Sequence, residues 1–186
     1  MKMRTTRIFL PVLVILVIPV SKVQSLTTGQ MVRFKVTDVD GRKLSALDGP
    51  TTMLVLTTRQ DLDKAQLIGN RAPERCLGNP KFRMITVIQF NKSTSQAMRF
   101  VYSALVRKRV AAEANRLKPR YRAKKLTTDP RQDVHVVADF DGTTAAQLGL
   151  SDSAGLFAVV ILTPDGVVLR EWRVVPSAQE LDIALR

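Results

Sequence analysis

Few side chains in this 186-residue chain can do covalent or metal chemistry, and those few stand apart. Cys76 is the sole cysteine and His135 the sole histidine. One cysteine forms no internal disulfide, and with a single histidine it supplies no zinc set. A lone thiol is read as an apolar filler, an intermolecular bridge or a reactive nucleophile. The expectation for Cys76, which follows Pro73 near a helix end, is a filler; a nucleophilic Cys76 is the alternative. Asp38-Val39-Asp40-Gly41 opens like a cation loop, but the twelfth position of a calcium loop, which needs glutamate, is Gly49. A hairpin turn accounts for it. No serine sits in a nucleophile-elbow pattern. The sequence thus offers no metal site and no cofactor site.

The strongest remaining signal is charge. Between positions 107 and 125 stand Arg107, Lys108, Arg109, Arg116, Lys118, Arg120, Arg122, Lys124 and Lys125, opposed by Glu113 alone, a surplus of eight. Such a tract attracts anionic lipid headgroups, envelope polymers or an acidic protein. As a solvated helix end it would also complement the helix dipole. Nucleic acid is not expected, because Tyr102 and Tyr121 alone make no stacking platform.

These residues need elements to hold them. Positions 1–25 read as an export signal outside the fold. Lys2, Arg4 and Arg7 precede an apolar run from Ile8 to Val20, and Val23-Gln24-Ser25 supplies small residues for cleavage. The run holds Pro11 and Pro19 and is shorter than the roughly 20 residues of a membrane-crossing helix. Cleavage is therefore expected, with a periplasmic or secreted product. Residues 26–186 then form one domain. The signal takes four of the thirteen net positive charges and leaves nine.

Along that domain, Val32 to Val36 alternates as a half-buried strand does. Met53 to Leu56 is a continuous apolar run, suited to a strand covered on both faces. Thr58 and Asp61 open a helix to about Ile68, broken at Gly69, Asn70 and Pro73. Phe82 to Phe90 is the next strand. Ser93 and Gln96 form a capping-box pair before a long helix whose apolar stripe is Met98, Val101, Tyr102 and Leu105. Pro119 should end that helix, leaving Arg120 to Arg131 as a basic connector. Val134 to Val137 is a strand, Ala145 to Leu148 a short helix, and Phe157 to Leu162 a buried strand turned by Thr163-Pro164-Asp165-Gly166 into Val167 to Trp172. Ser177 and Glu180 cap a final helix. Helix-separated strands imply parallel pairing, and the closing hairpin an antiparallel edge.

This order resembles the thioredoxin-like superfamily, in particular its exported peroxiredoxin-like and TlpA-like branches. The likeness rests on positions 34–44, on Met53 to Thr57, and on Ala158 to Gly166. It implies an α/β three-layer sandwich, a central mixed sheet flanked by helices, with an N-terminal β-hairpin. In redox-active members the strand-to-helix junction presents a cysteine at a helix N-terminus, which lowers its pKa. Here that junction is Thr57-Thr58-Arg59-Gln60-Asp61-Leu62-Asp63. The family also places a cis-proline near what aligns with Leu156 or Phe157, and none occurs there. Thiol exchange and peroxide reduction lose their nucleophile. A divergent oxidoreductase or peroxiredoxin-like protein acting through Cys76 is the alternative.

Positions 136–143 are similar to the first motif of the haloacid-dehalogenase phosphatases, in which Asp139 would attack phosphate and Asp141 act as acid and base. That family also needs a downstream lysine, and the 43 residues after Thr143 contain none. A strand end and polar turn are the better reading. The expectation is an exported domain without disulfide chemistry, serving as a binding or scaffold module whose basic tract meets an acidic envelope protein or an anionic membrane surface.

Overall fold

The computed structural model describes residues 26–47, 49–150 and 157–186; the expected export signal lies outside them, as does Leu156. A hairpin comes first, of strands β1 (Lys35–Thr37) and β2 (Lys43–Ser45). Its turn is locked by Asp38, whose carboxylate accepts from the backbone N–H groups of Asp40 and Arg42 at 3.0 and 2.8 Å. The hairpin is thus the expected one, and Val32 and Phe34 alternate inward ahead of it.

Strand β3 (Thr51–Thr58) has no polar face, and six of its eight residues are buried. Helix α1 (Leu62–Arg71) follows. It passes through Gly69 and Asn70, where the sequence implied a break, and stops before Pro73. Strand β4 (Phe82–Gln89) pairs parallel to β3 in unbroken register from Thr51↔Phe82 to Thr58↔Gln89. Helix α2 (Gln96–Ala123) then spans 28 residues. Its cap is Ser95, whose hydroxyl accepts from the Met98 N–H; Ser93 instead bonds to the Asn91 side chain.

Strand β5 (Val134–Asp139) is parallel to β4, and helix α3 (Thr143–Gln147) follows. Strand β6 (Ala158–Leu162) lies antiparallel against β3, with β7 (Val168–Trp172) antiparallel at the edge. Helix α4 (Ala178–Ala184) carries the capping box of Ser177 and Glu180 as expected. The sheet order is β5-β4-β3-β6-β7. The parallel rule therefore holds across α1 and α2 and fails across α3, because β6 enters on the far side of β3.

The layers follow from strand alternation. Leu54, Leu56, Ile85, Val87, Val160 and Leu162 pack toward the hairpin and α3. Met53, Val55, Val159 and Ile161 pack toward α1 and α4, and Ile88 and Val136 meet Val106 and Val110 of α2. This is the anticipated three-layer sandwich.

Two expectations about α2 are corrected. Its buried stripe is Val106, Val110, Ala114 and Tyr121, whereas Met98, Val101 and Leu105 are 40, 45 and 51% exposed. A 28-residue helix is about 42 Å long, and an eight-residue strand spans about 26 Å. Met98, Val101 and Leu105 lie on the face of α2 turned away from Val106 and Val110, which meet the sheet, so they find no core. Pro119 does not end the helix either. The turn beyond it is anchored by Tyr121, 2% exposed, whose hydroxyl donates to Asp133. The pair of Arg120 with Glu74 holds it as well. Together these outweigh the roughly 3 kcal/mol disadvantage of an internal proline.

Candidate functional site

Register determines what gathers at one end of the sheet. Thr58, Gln89 and Asp139 are aligned across β3, β4 and β5 at their carboxyl ends, the edge where open α/β sheets receive ligands. The residues that follow, Arg59, Phe90 and Phe140, converge with Arg99 and Tyr102 of α2. Phe90 lies 4.5 Å from Phe140 and 5.3 Å from Tyr102, ring centre to ring centre. The Arg59 guanidinium sits 4.4 Å over Tyr102 and that of Arg99 5.5 Å over Phe140. Arg99 is also paired with Asp141 at 2.7 Å. A cation–aromatic cluster therefore covers the strand ends. No local sequence signal announced it, because it exists only once the three strands are in register.

At the β3–α1 junction the polar groups serve the backbone. The Thr57 hydroxyl donates to the Asp61 carbonyl at 3.0 Å, and the Asp61 carboxylate pairs with Lys64 at 2.8 Å. Nothing at this helix start can form a thiolate. Cys76 is on a 3-10 turn (Glu74–Cys76) beyond the opposite end of α1, and ten helical residues separate the two ends by about 15 Å. Half-buried against the core on the α1 and α4 side, its thiol is pushed up by burial, an effect that nearby Arg75 does not overcome. Arg75 and Lys124 favour the thiolate, but burial and Asp182 outweigh them, so the thiol is not activated as a nucleophile.

The phosphatase reading fails on geometry. Asp139 is 4% exposed, and its carboxylate accepts from the backbone N–H groups of Thr144 and Ala145 at 3.1 and 3.2 Å. It is committed to the start of α3, while Asp141 is held by Arg99. No group of three or more His, Cys, Asp or Glu among the described residues could hold a metal.

A parallel trio β5-β4-β3 continued by an antiparallel pair, with α1 leaving the central strand, matches solved structures. A DsbF homologue from Corynebacterium diphtheriae superposes with a TM-score of 0.57 at 12% identity, covering 90% of this chain and 94% of that one. The pneumococcal exposed lipoprotein thioredoxin of Streptococcus pneumoniae strain TIGR4 gives 0.52 at 11% identity, covering 82% and 97%. The chain has the thioredoxin-like fold. No protein-family model matches the sequence, and no curated protein is significantly similar to it. In this thioredoxin-like domain the redox position, the start of α1, holds threonines, an arginine and acids, and the only cysteine is elsewhere.

The basic tract divides in two. Arg107 donates to the Val39 carbonyl at 2.8 Å, and Arg116 binds Glu113 and Asn70 at 2.6 Å each. Arg120 pairs with Glu74, and the Lys124 ammonium donates to the Glu74 and Leu77 carbonyls. These four tie α2 to its neighbours. The side chains of Lys108, Arg109, Lys118, Arg122 and Lys125 are exposed and make no hydrogen bond or ion pair among the described residues. Exposed apolar residues lie on the same helix. Val101, Leu105 and Lys108 fall at i, i+4 and i+7 and so form one outer line, with Phe100, 75% exposed, beside it.

Proposed function

We propose that this protein is an exported binding module that keeps the thioredoxin-like scaffold without its disulfide chemistry, and that it docks on an anionic membrane surface through the outer face of α2. The observation that carries this reading is the continuity of two surfaces on one helix. Met98, Phe100, Val101 and Leu105 are exposed in its first turns, and the side chains of Lys108, Lys118, Arg122 and Lys125 follow without partners among the described residues. Apolar side chains that enter the headgroup region, together with cations that meet its charge, give interfacial binding. An acidic protein would need the cations but has less use for exposed apolar residues beside them. The exported location is supported by the N-terminal pattern of positions 1–25, and the pneumococcal protein of like fold is itself described as an exposed lipoprotein.

Vesicle flotation tests the reading. The purified protein should float with phosphatidylglycerol vesicles, remain behind with phosphatidylcholine vesicles, and be released by high salt. Phe100→Asp should abolish flotation, and charge reversal at Lys108, Lys118, Arg122 and Lys125 should do the same. Equal flotation with neutral vesicles, or indifference to both changes, overturns the membrane assignment. Capture of an acidic envelope protein with the apolar residues dispensable would replace it.

A further inference from the structure

One strip of the sheet is only partly covered by helices: α1 reaches Met84 and α2 reaches Ile88, and Thr86 between them is left half-buried. β4 is flanked on both sides by strands, yet it is sealed on one face only. Ile85 and Val87, toward the hairpin, are 0% exposed, while Met84 and Thr86, on the opposite face, are half-buried. α1 leans on β3 and α2 on β5, and the gap between them is a cleft of about 460 Å³. Met84, Thr86 and Val136 form its floor, with Ala65 on one wall and Val110 and Leu117 on the other. Arg109, Arg116 and Arg120 of α2 stand at the rim, against Asp63 of α1 and Glu113, which Arg116 already neutralises. Arg109 has no partner among the described residues.

We infer that this cleft binds a single-chain amphipath, an alkyl chain with an anionic head, the chain along the floor and the head at Arg109. The volume suits it. A dry cavity of about 150 Å³ accepts the six carbons of benzene, so the cleft has room for a chain of about twelve to eighteen carbons. Its lining is mainly apolar, with Arg83, Asp133 and His135 among the polar side chains besides those of the rim, a combination usual in ligand sites. Arg116 and Arg120 are paired with Glu113 and Glu74, so Arg109 is the α2 cation at the rim left to select an anionic head. The inference stands independently of membrane docking, since the outer face of α2 and the cleft are different surfaces.

Gly69 offers a clean obstruction. A Cβ there would meet only the end of the Met84 side chain, at 3.8 Å, so a larger residue grows into the cleft without touching backbone. Replacing an interior helical glycine also favours the helix, so Gly69→Leu should fold. The test is isothermal titration of the purified protein, without vesicles and below micellar concentration. Its probes are dodecanoate, dodecyl phosphate and dodecyltrimethylammonium. One or both anionic probes should bind saturably at one per chain, the relative strength of carboxylate and phosphate naming the head, and the cationic probe should not. Gly69→Leu should weaken the bound anion by at least roughly tenfold and Arg109→Glu by about fivefold. The inference is overturned if neither anion saturates, if the cation binds as well, or if folded Gly69→Leu binds like the wild type. Should Gly69→Leu not fold, anion binding left unchanged by Arg109→Glu overturns it equally.

Discussion

Asp38 shows how one side chain can set a local pH dependence. Its side chain is 0% exposed, and burial alone would raise its pKa. The Arg42 guanidinium at 2.6 Å, the backbone N–H groups and His135 at 3.4 Å more than reverse this, and the carboxyl titrates below its ordinary value. Arg42 in turn donates to the Gln132 and Val134 carbonyls, joining the hairpin to β5. His135 is pushed down by burial and by Arg42, and Asp38 only partly restores it. Both shifts act in the same direction. The unfolded chain takes up a proton on His135 below about pH 6.5 and on Asp38 below about pH 4, while the folded chain resists each. Stability should therefore fall in two stages on acidification. Urea unfolding from pH 7 downward should show the first stage vanish in His135→Gln. Asp38→Asn should cost about 2–3 kcal/mol at neutral pH, since it removes the negative charge and turns one of the two accepting oxygens toward Arg42 and the backbone into an NH2 donor. A single acid transition unchanged by His135→Gln would refute the two-stage account.

At the scale of elements, α2 ends in a Schellman motif built on an unusual residue. The Leu126 N–H reaches the Tyr121 carbonyl and the Lys125 N–H that of Arg122, with Lys125 at φ +57°. That left-handed conformation costs a non-glycine residue about 1–2 kcal/mol. Lys125→Gly should accordingly raise the unfolding free energy by up to about 1 kcal/mol, read as a higher urea midpoint with unchanged slope. A loss of stability would mean that the lysine side chain contributes more than its backbone strain removes. The same helix shows where sequence patterns lose their hold. The runs Met53–Leu56 and Ala158–Leu162 are legible as buried strands because every residue is apolar and no second reading competes. The stripe Met98, Val101, Tyr102 and Leu105 is equally periodic, yet periodicity states only which residues share a face. Whether a face meets a sheet depends on relative lengths and on where the helix starts. Ser93 is taken by the Asn91 side chain two residues before it, and Ser95 takes the cap instead. Local propensity makes Pro119 a helix end, and Tyr121, Arg120 and Lys124 override it through contacts 12 to 50 residues away. The missing thiol of the α1 start can be read directly, because it needs only an alignment of segments. The cation–aromatic cluster and the β4 cleft cannot, because both depend on register and on the spacing of two helices.

For the molecule as a whole, the decisive asymmetry lies between a sheet sealed through its centre and a long helix whose outer face leaves apolar residues exposed. Val160 and Ile161 are both 0% exposed and belong to cores on opposite faces of β6, so the strand is covered above and below. Removing a buried isoleucine side chain to alanine costs about 2–5 kcal/mol through lost transfer energy and the cavity left behind. Surface changes stay within about 0.5 kcal/mol. Ile161→Ala should therefore lower stability by that larger amount, whereas Leu105→Ala, of similar volume change but 51% exposed, should be nearly neutral in denaturant unfolding. The contrast separates two explanations for the apolar residues on α2. If they belonged to the fold, truncating them would weaken it. If they serve an interaction, stability is untouched and only binding suffers. A Leu105→Ala cost close to that of Ile161→Ala would assign the outer apolar residues of α2 to the core and remove the apolar half of the proposed docking face.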